Sequence, residues 1–366
     1  MFHQKKPGKI VRAMNLNERK SEGKYRMHRK GINYDVGTLS ISKDTSSRET
    51  FDPMIVQREI NVIKNDLHCT AIRISGQDIT RLLLASEYAL QQGLEVWFSP
   101  RWIDANGQEM LTYLAQCAQA AEQLRQQSPQ VIFVVGCELT FFLQGLVDGN
   151  TALERMNTFM KPWRLLKSTL VKGPFNKRLN AFLVQATDVA RKSFHGQLTY
   201  ASGPWEAVDW TPFDFVGIDY YRDAINTSSY RQTLRKYFAY EKPVVILEFG
   251  CCTYQGAEEK GGYGWAIVNR NTTPRQLQGA YVRDEQVQAK YLSELLDIFR
   301  EEQVEGAFVF TFVMPSYSYN DDPRYDLDMA SYSLVKSYAN QMGRTYNEMP
   351  WEPKESFRRL AHSYQE

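Results

Sequence analysis

Two stretches of the chain combine a short apolar run with a single glutamate at its carboxyl end. Residues 242–250, Lys-Pro-Val-Val-Ile-Leu-Glu-Phe-Gly, place four apolar residues directly before Glu248. Residues 130–138, Gln-Val-Ile-Phe-Val-Val-Gly-Cys-Glu, end in the same way at Glu138. An apolar run without alternation is typical of a strand buried on both faces, as in a parallel sheet. Each stretch therefore predicts a buried strand that ends in one carboxylate.

Strand and helix patterns alternate along the rest of the chain. Besides the two glutamate strands, the pattern predicts strands over 32–37, 69–75, 94–99, 197–200, 213–221 and 306–313. Helical periodicity separates them over 53–66, 78–92, 108–127, 152–194, 227–240 and 282–302, with a break near Gly173-Pro174. Eight alternating units predict a parallel (β/α)8 TIM barrel with helices outside. The alternative is an open doubly wound sheet, whose glycine-rich first turn is absent from Gly37-Thr38-Leu39.

The length and charge of the chain favour one domain with a basic extension. No linker or low-complexity segment divides the 366 residues, so we expect a single barrel domain over residues 1–366. Residues 1–30 hold ten lysines and arginines and two glutamates. We expect a basic arm over 1–29 that lies outside the barrel strands. Such an arm can bind nucleic acid, but a solvated terminus is the commoner role, so no nucleic-acid partner is expected.

The cysteines and the apolar runs indicate the cellular compartment of the protein. Five cysteines without a CxxC pair suggest neither a disulfide framework nor a structural zinc site. No apolar run approaches the roughly 20 residues of a membrane helix, and the N-terminus lacks a signal-peptide core. We therefore expect a cytoplasmic protein with no membrane partner, no metal and no cofactor. The oligomeric state stays open.

A long glycine-rich loop follows the strand of Glu248. It covers about 249–281 and contains Gly256, Gly261, Gly262 and Gly264. Loops of this length in compact domains are usually functional lids or disordered. We expect it to cover the carboxyl rim of the barrel and to bring Trp265 or Tyr254 to the site.

Two glutamates on one rim predict the cleavage of glycosidic bonds. The active sites of TIM barrels lie at the carboxyl ends of the strands. A pair of carboxylates roughly 5–5.5 Å apart supports retaining hydrolysis, with one as nucleophile and one as acid/base. We predict this retaining separation between Glu138 and Glu248.

At these residues the chain resembles the retaining glycoside hydrolases of clan A. The resemblance rests on Val-Val-Gly-Cys-Glu138 and Ile-Leu-Glu248-Phe-Gly and covers about residues 31–345 in strand order. It implies that Glu248 is the nucleophile and Glu138 the acid/base. It also implies that Arg73 supports the nucleophile and that Tyr220 or Tyr221 hydrogen-bonds to it. The family usually has asparagine before the acid/base, contacting the sugar 2-hydroxyl, where this chain has Cys137. The stretch after Glu248 also resembles a bacterial group called abortive-infection proteins.

Further side chains are candidates for binding the substrate. Trp102, Trp205 and Trp265 lie in predicted loops after strands three, five and seven, where rings can stack on sugars. Asp35 and Asp219 are candidates at the rim. Two alternatives stay open: a carbohydrate-binding pseudoenzyme, and a phage-defence protein acting on nucleic acid through the basic arm.

Overall fold

A computed structural model describes residues 27–39 and 46–365 of the chain. Eight parallel strands form its centre: β1 Arg29–Asp35, β2 Ala71–Gly76, β3 Glu95–Pro100, β4 Val131–Cys137, β5 Gln197–Ala201, β6 Val216–Asp219, β7 Val244–Phe249 and β8 Gly306–Val309. Ten helices accompany them: α1 Pro53–Asn65, α2 Ile79–Gln91, α3 Gly107–Gln127, α4 Leu139–Phe142, α5 Ala152–Phe159, α6 Pro162–Lys172, α7 Phe175–Arg191, α8 Tyr230–Tyr237, α9 Glu285–Glu301 and α10 Glu355–Gln365.

The strands form a nearly closed barrel. Their hydrogen-bonded order is β5-β4-β3-β2-β1-β8-β7-β6. The ends of this order meet at a single parallel bridge between Ser202, just after β5, and Ile218. There the amide of Ser202 donates to the carbonyl of Gly217 over 3.1 Å. The predicted (β/α)8 barrel is confirmed, and the open doubly wound sheet is excluded.

The boundaries differ from the predicted ones in a few places. The first strand begins at Arg29, which pairs with Gly306, so the last residue of the predicted basic arm belongs to the barrel. Residues 1–26 of that arm lie outside the described residues. The helical region predicted over 152–194 is three helices. The break predicted near Gly173-Pro174 is confirmed at Gly173, which takes a positive φ of 81°, and a second, unpredicted break precedes Pro162, which begins α6.

Side chains of alternate strand residues fill the barrel interior. A buried cluster there joins Trp97 of β3 to Phe215 and Phe308, with ring centroids 5.1 and 5.0 Å from the tryptophan. The other faces of the strands pack on the helices, as Phe249 does edge-on against Phe299 of α9 at 5.0 Å. This interior packing closes the barrel below its carboxyl rim, as in other barrels of this type.

An extra residue interrupts this alternation near the end of β7. The pairing with β8 advances three residues on β7, from Ile246 to Phe249, but only two on β8. The pairing with β6 shows the same extra residue before Glu248. A β-bulge of this kind lets two consecutive side chains face the same way. Leu247 therefore packs in the interior cluster, and Glu248 also faces into the barrel.

A second register shift lies at the end of β4. There the pairing advances three residues, from Val134 to Cys137, while β5 advances two. Val134 and Cys137 both belong to the interior cluster in spite of their odd spacing. Both strands that carry the predicted catalytic glutamates thus change register just before those glutamates.

Candidate active site

One pocket at the carboxyl ends of the strands contains both predicted glutamates. It has a volume of about 350 Å³. Its acidic and basic lining residues are Glu138, Asp219, Asp223, Glu248, Arg101 and Arg270. Its aromatic walls are Phe141, Phe142, Trp205, Tyr221, Tyr263, Trp265, Phe310, Tyr317 and Tyr332. Charged groups between flat apolar rings suit a ligand that is polar at its edges and apolar on its faces.

Glu248 is held by a cation and a phenol. Nη1 of Arg73 donates to Oε1 of Glu248 over 3.0 Å, and Oη of Tyr221 donates to Oε2 over 3.2 Å. Burial and the negative charge of Glu248 raise the pKa of Tyr221, so its hydroxyl stays protonated and remains a donor. Both oxygens of Glu248 are thereby held in place.

Arg73 reaches this position from inside the barrel. Its side chain is 1% exposed, and its Nε donates to Oγ of Ser99 over 3.2 Å. The bulge in β7 turns the carbonyl of Leu247 out of the regular ladder. That carbonyl accepts hydrogen bonds from Nη1 of Arg73 at 3.3 Å and from Nδ2 of Asn33 at 2.8 Å. The guanidinium thus stabilises both the bulge and the carboxylate that the bulge presents.

A second acidic side chain, Asp219, also lies close to the guanidinium of Arg73. It ends β6, is fully buried, and places Oδ1 3.7 Å from Nη1 of Arg73. Burial and the neighbouring Glu248 raise the pKa of Asp219 well above its usual range. The thiol of Cys137 lies 3.4 Å from Oδ2 of Asp219 and 3.6 Å from Oε1 of Glu248. Burial keeps that thiol protonated, so it can donate a weak hydrogen bond to either carboxylate.

Glu138 has a contrasting environment. It is half-buried, directly follows β4, and adopts a left-handed backbone conformation with φ of 42°. Non-glycine residues rarely adopt this conformation, and those that do cluster at functional sites. Burial, Asp219 and Glu248 raise the pKa of Glu138 well above its usual range, and the opposing effect of Arg101 is smaller. No described side chain donates a hydrogen bond to its carboxyl group.

Glu206 anchors the backbone that follows Glu138, a role that the sequence did not reveal. This buried carboxylate accepts hydrogen bonds from the amide and the hydroxyl of Thr140, at 3.0 and 2.7 Å, and from the hydroxyl of Tyr200 at 2.8 Å. Nε1 of Trp205 donates to the same Thr140 hydroxyl over 2.9 Å. Glu206 therefore connects the position of Glu138 to that of an aromatic wall.

The long loop after β7 forms one side of the pocket. Gly262, Tyr263, Trp265 and Arg270 line the pocket from this loop, and the guanidinium of Arg270 lies 4.5 Å from the centre of the Trp265 ring. Tyr254, the other aromatic residue expected there, is buried beneath it and donates to the carbonyl of Gly264 over 3.0 Å.

Three side chains expected at the site lie elsewhere. Asp35 ends β1 but accepts a hydrogen bond from the amide of Gly37 at 2.9 Å, so it stabilises the turn. Trp102 packs edge-on against Tyr113 of α3 at 5.5 Å and does not line the pocket. Tyr220 points outward to α8, where its hydroxyl donates to the carbonyl of Tyr230 over 2.8 Å. Of the two candidate tyrosines, only Tyr221 hydrogen-bonds to the carboxylate of Glu248; Tyr220 meets Glu248 through its backbone amide, which donates to the Glu248 carbonyl over 2.7 Å.

Three potential ligand atoms at the base of the pocket lie close enough together to suggest a metal site. Cys137, Asp219 and Glu248 are the group of described residues whose potential ligand atoms lie within 4.8 Å of one another. The guanidinium of Arg73 already contacts both carboxylates, and a second cation would be repelled by it. The two carboxylates therefore pair with Arg73, and we assign no metal to this group.

The structure also describes the state of the cysteines and the character of the helices. All five cysteines lie within the described residues, and all are buried and unpaired. Within the same residues, no helix combines the length and the apolar character needed to cross a bilayer.

Comparison with known proteins supports the fold. No protein-family model and no curated protein matches the sequence. A GH113 β-1,4-mannanase matches with a TM-score of 0.58 and 15% identity over 93% of this chain and 99% of that chain. The GH113 β-mannanase of Alicyclobacillus acidocaldarius matches with 0.57 and 12%, over 92% and 97%. β-Glucuronidase 2 of Bacteroides uniformis gives 0.56 and 13%, over 94% of this chain but 35% of that chain. At these identities the similarity establishes the barrel of glycoside hydrolases and leaves the activity to be tested.

The first prediction concerns Arg73. Replacement Arg73→Met leaves two buried carboxylates without their cation, so we expect a loss of about 3–5 kcal/mol in the free energy of unfolding at neutral pH. Urea denaturation measures this loss. It should shrink in the double variant Arg73→Met/Asp219→Asn, which removes one of the two buried carboxyl groups that lose the guanidinium.

A surface arginine provides the matched control. Arg58 pairs with Glu348 on the surface, and Arg58→Met should change the free energy of unfolding by no more than about 0.5 kcal/mol. If Arg73→Met changes the free energy of unfolding as little as this control does, the guanidinium does not stabilise the buried carboxyl groups of the site.

Proposed function

We propose that the protein is a retaining glycoside hydrolase with Glu248 as nucleophile and Glu138 as acid/base. One observation carries the proposal: the two glutamates line one pocket in opposite electrostatic environments. Glu248 is hydrogen-bonded through both oxygens to the cation of Arg73 and the hydroxyl of Tyr221. Glu138 is desolvated among negative groups, which raises its pKa and favours the protonated acid. A positioned carboxyl group facing a protonated one is what the first step of glycoside cleavage requires.

In the first step, an oxygen of Glu248 forms a bond to the anomeric carbon of the sugar. The bond from that carbon to the glycosidic oxygen breaks, and the departing oxygen takes the proton of Glu138. Arg73 and Tyr221 hold the carboxylate of Glu248 in place for the attack. The products are the released aglycone or sugar and an ester between Glu248 and the remaining sugar.

In the second step, Glu138 acts as a base. Formation of the ester removes the negative charge of Glu248, which is one of the causes of the raised pKa of Glu138. The pKa of Glu138 therefore falls, and the carboxylate left by the first proton transfer can accept a proton from water. The water oxygen then bonds to the anomeric carbon, the ester bond breaks, and Glu248 regains its charge.

The walls of the pocket support a carbohydrate as the substrate. Trp205 and Trp265 both line the pocket, and their rings can stack on the C–H faces of a sugar. Arg101 and Arg270 supply donors for hydroxyl or carboxylate groups at its edges. Because the structures matched above are named as mannanases and a glucuronidase, β-mannosides, β-1,4-mannan and β-glucuronides are the first substrates to test.

Cys137 is the observation that favours a second candidate, a carbohydrate-binding pseudoenzyme. The family resemblance implies an asparagine at this position in contact with the sugar 2-hydroxyl. The thiol here is a weaker hydrogen-bonding group and already lies against Asp219 and Glu248. Binding without turnover would then be the function of the pocket, and activity measurements separate the two candidates.

Kinetics on aryl glycosides test the proposed roles of the glutamates. Glu138→Ala should lower kcat/KM by about 10²–10⁴-fold for substrates with poor leaving groups, because they depend on general acid catalysis. Substrates with good leaving groups need little protonation and should be affected far less in the first step. Azide should then restore turnover of the accumulated ester and yield a glycosyl azide.

Two further variants complete this experiment. Glu248→Gln should abolish turnover for every leaving group, and azide should not restore it. Glu206→Gln should keep the leaving-group dependence of the wild-type protein, because Glu206 only positions the backbone. If Glu248→Gln retains the activity of the wild-type protein, the hydrolase assignment fails. If the wild-type protein binds mannan or glucuronide without cleaving it, the pseudoenzyme is correct.

The pH dependence of kcat/KM tests the protonation state of Glu138. Its pKa is raised, so the acid form persists above the usual range of glutamate and is lost as the pH rises through the raised pKa. We expect an activity decline on the basic side that disappears in Glu138→Gln with a substrate whose leaving group is good. An unchanged basic decline in that variant would assign the acid to another group.

A further inference from the structure

Helix α6 leaves an apolar stripe uncovered on the surface. Trp163, Leu166 and Leu170 are 63, 60 and 77% exposed. Their spacing of three and four residues puts them on one face of the helix. Met160, just before the helix, and Val171 are also exposed large apolar residues. Ser168 is the buried residue of the helix, so the apolar stripe faces away from the barrel.

This stripe differs from ordinary exposure of single apolar residues. Scattered surface leucines need no explanation, but a contiguous apolar patch marks an interaction site. The neighbouring helices bury their own apolar faces: Leu179, Phe182 and Leu183 of α7 are buried. Helix α6 instead packs on α5 and leaves its apolar face available to a partner.

The exposed charges beside the stripe are positive. Lys161, Arg164 and Lys167 are exposed and make no ion pair with the described residues. From Arg155 to Thr187 the chain contains seven lysines and arginines and no aspartate or glutamate, although Arg155 is buried against Asp104 and Lys172 pairs with Asp148. The partner should therefore be apolar where it meets the stripe and negatively charged beside it.

We propose that α6 binds the surface of an anionic lipid bilayer. A helix with tryptophan and leucine on one face and basic residues beside them lies in the interface, with the apolar side chains in the acyl boundary. The bases then reach the negative headgroups, which attract them by about 1 kcal/mol each near the surface. This contact is peripheral, so it revises the expectation of no membrane partner without requiring a spanning helix.

Other occupants fit the surface less well. A second copy of the chain meeting this face would bring Lys161, Arg164 and Lys167 against the same three residues, and like charges repel at close range. A partner protein would need a groove matched to a protruding ridge, since each of the three stripe side chains is more than half exposed. A fluid lipid interface adapts to such a ridge and supplies the negative charge as well.

The proposed surface lies beside the candidate active site. Met156 of α5 lines the pocket, and Phe159 at the end of the same helix packs edge-on against Trp205 at 6.0 Å. The chain passes from α5 to α6 within three residues. A bilayer bound to α6 would therefore lie one helix away from the wall of the pocket.

Vesicle binding by the full-length protein tests this proposal. Sedimentation compares vesicles of phosphatidylglycerol and phosphatidylcholine with vesicles of phosphatidylcholine alone, at low and high salt. We expect binding to the anionic vesicles that weakens with salt. The double variant Trp163→Ala/Leu170→Ala should bind at least about tenfold more weakly, because two apolar side chains no longer enter the bilayer. Lys161→Gln/Lys167→Gln should weaken binding to anionic vesicles and reduce its salt dependence.

Two controls make the outcome specific to α6. Every variant keeps the basic residues 1–30, so a loss in the α6 variants cannot come from that segment. Met54→Ala removes a side chain that is 67% exposed on α1, and it should leave binding unchanged. Equal vesicle binding by the wild-type protein and the Trp163→Ala/Leu170→Ala variant, or no binding by the wild-type protein, overturns the proposal.

A protein partner is a separate outcome. If the wild-type protein ignores vesicles but self-associates with rising concentration, and Trp163→Ala/Leu170→Ala prevents this, the stripe is a protein interface. None of these measurements uses glycoside cleavage, so they fail or succeed independently of the proposed hydrolase activity.

Discussion

The ion pair between Arg73 and Glu248 is the interaction on which the site depends. Inside a barrel packed with Trp97, Phe215 and Phe308, an isolated carboxylate would be costly to ionise. The guanidinium, itself 1% exposed, contacts Glu248 at 3.0 Å and lies 3.7 Å from Asp219. Glu248, held there, is in turn one of the causes that raise the pKa of Glu138. One buried cation thus fixes the position of Glu248 and acts through it on Glu138.

The backbone of β7 makes this contact possible. With regular alternation, Leu247 and Glu248 would face opposite sides of the strand, and one of them would leave the barrel interior. The extra residue places both inside, one in the core cluster and one in the pocket. The carbonyl of Leu247 that leaves the ladder is bonded by Arg73 and Asn33. The same arginine therefore pairs with the carboxylate and satisfies the polar group exposed by the bulge.

The sequence predicted the barrel and its two glutamates because both signals are local. Apolar runs that end in Glu138 and Glu248 are visible without any knowledge of tertiary structure. The choice between Tyr220 and Tyr221 was not local, since either residue can face the pocket until the strand end is fixed. Asp35 and Trp102 were placed at the rim by their position after strands, but a turn amide and Tyr113 hold them elsewhere.

Other features depend on tertiary packing, which the hydrophobic pattern of the sequence does not report. Glu206 lies in a loop after β5 and gains its role only because Thr140 and Tyr200 come close to it in space. Helix α6 has the same amphipathic pattern as a helix that packs its apolar face inward. The structure shows that face turned outward instead. A helix periodicity reports an apolar stripe, but it does not say what covers the stripe.

Trapping the covalent intermediate tests the assignment of Glu248 most directly. A 2-deoxy-2-fluoro glycoside with a good leaving group slows the second step more than the first, so the ester should accumulate on a retaining enzyme. We expect the intact mass to rise by one fluorosugar and peptide mapping to place the label on Glu248, with no label in Glu248→Gln. A label on Glu138, Asp219 or Cys137, or hydrolysis of the parent glycoside without any trapped ester, would contradict the assignment.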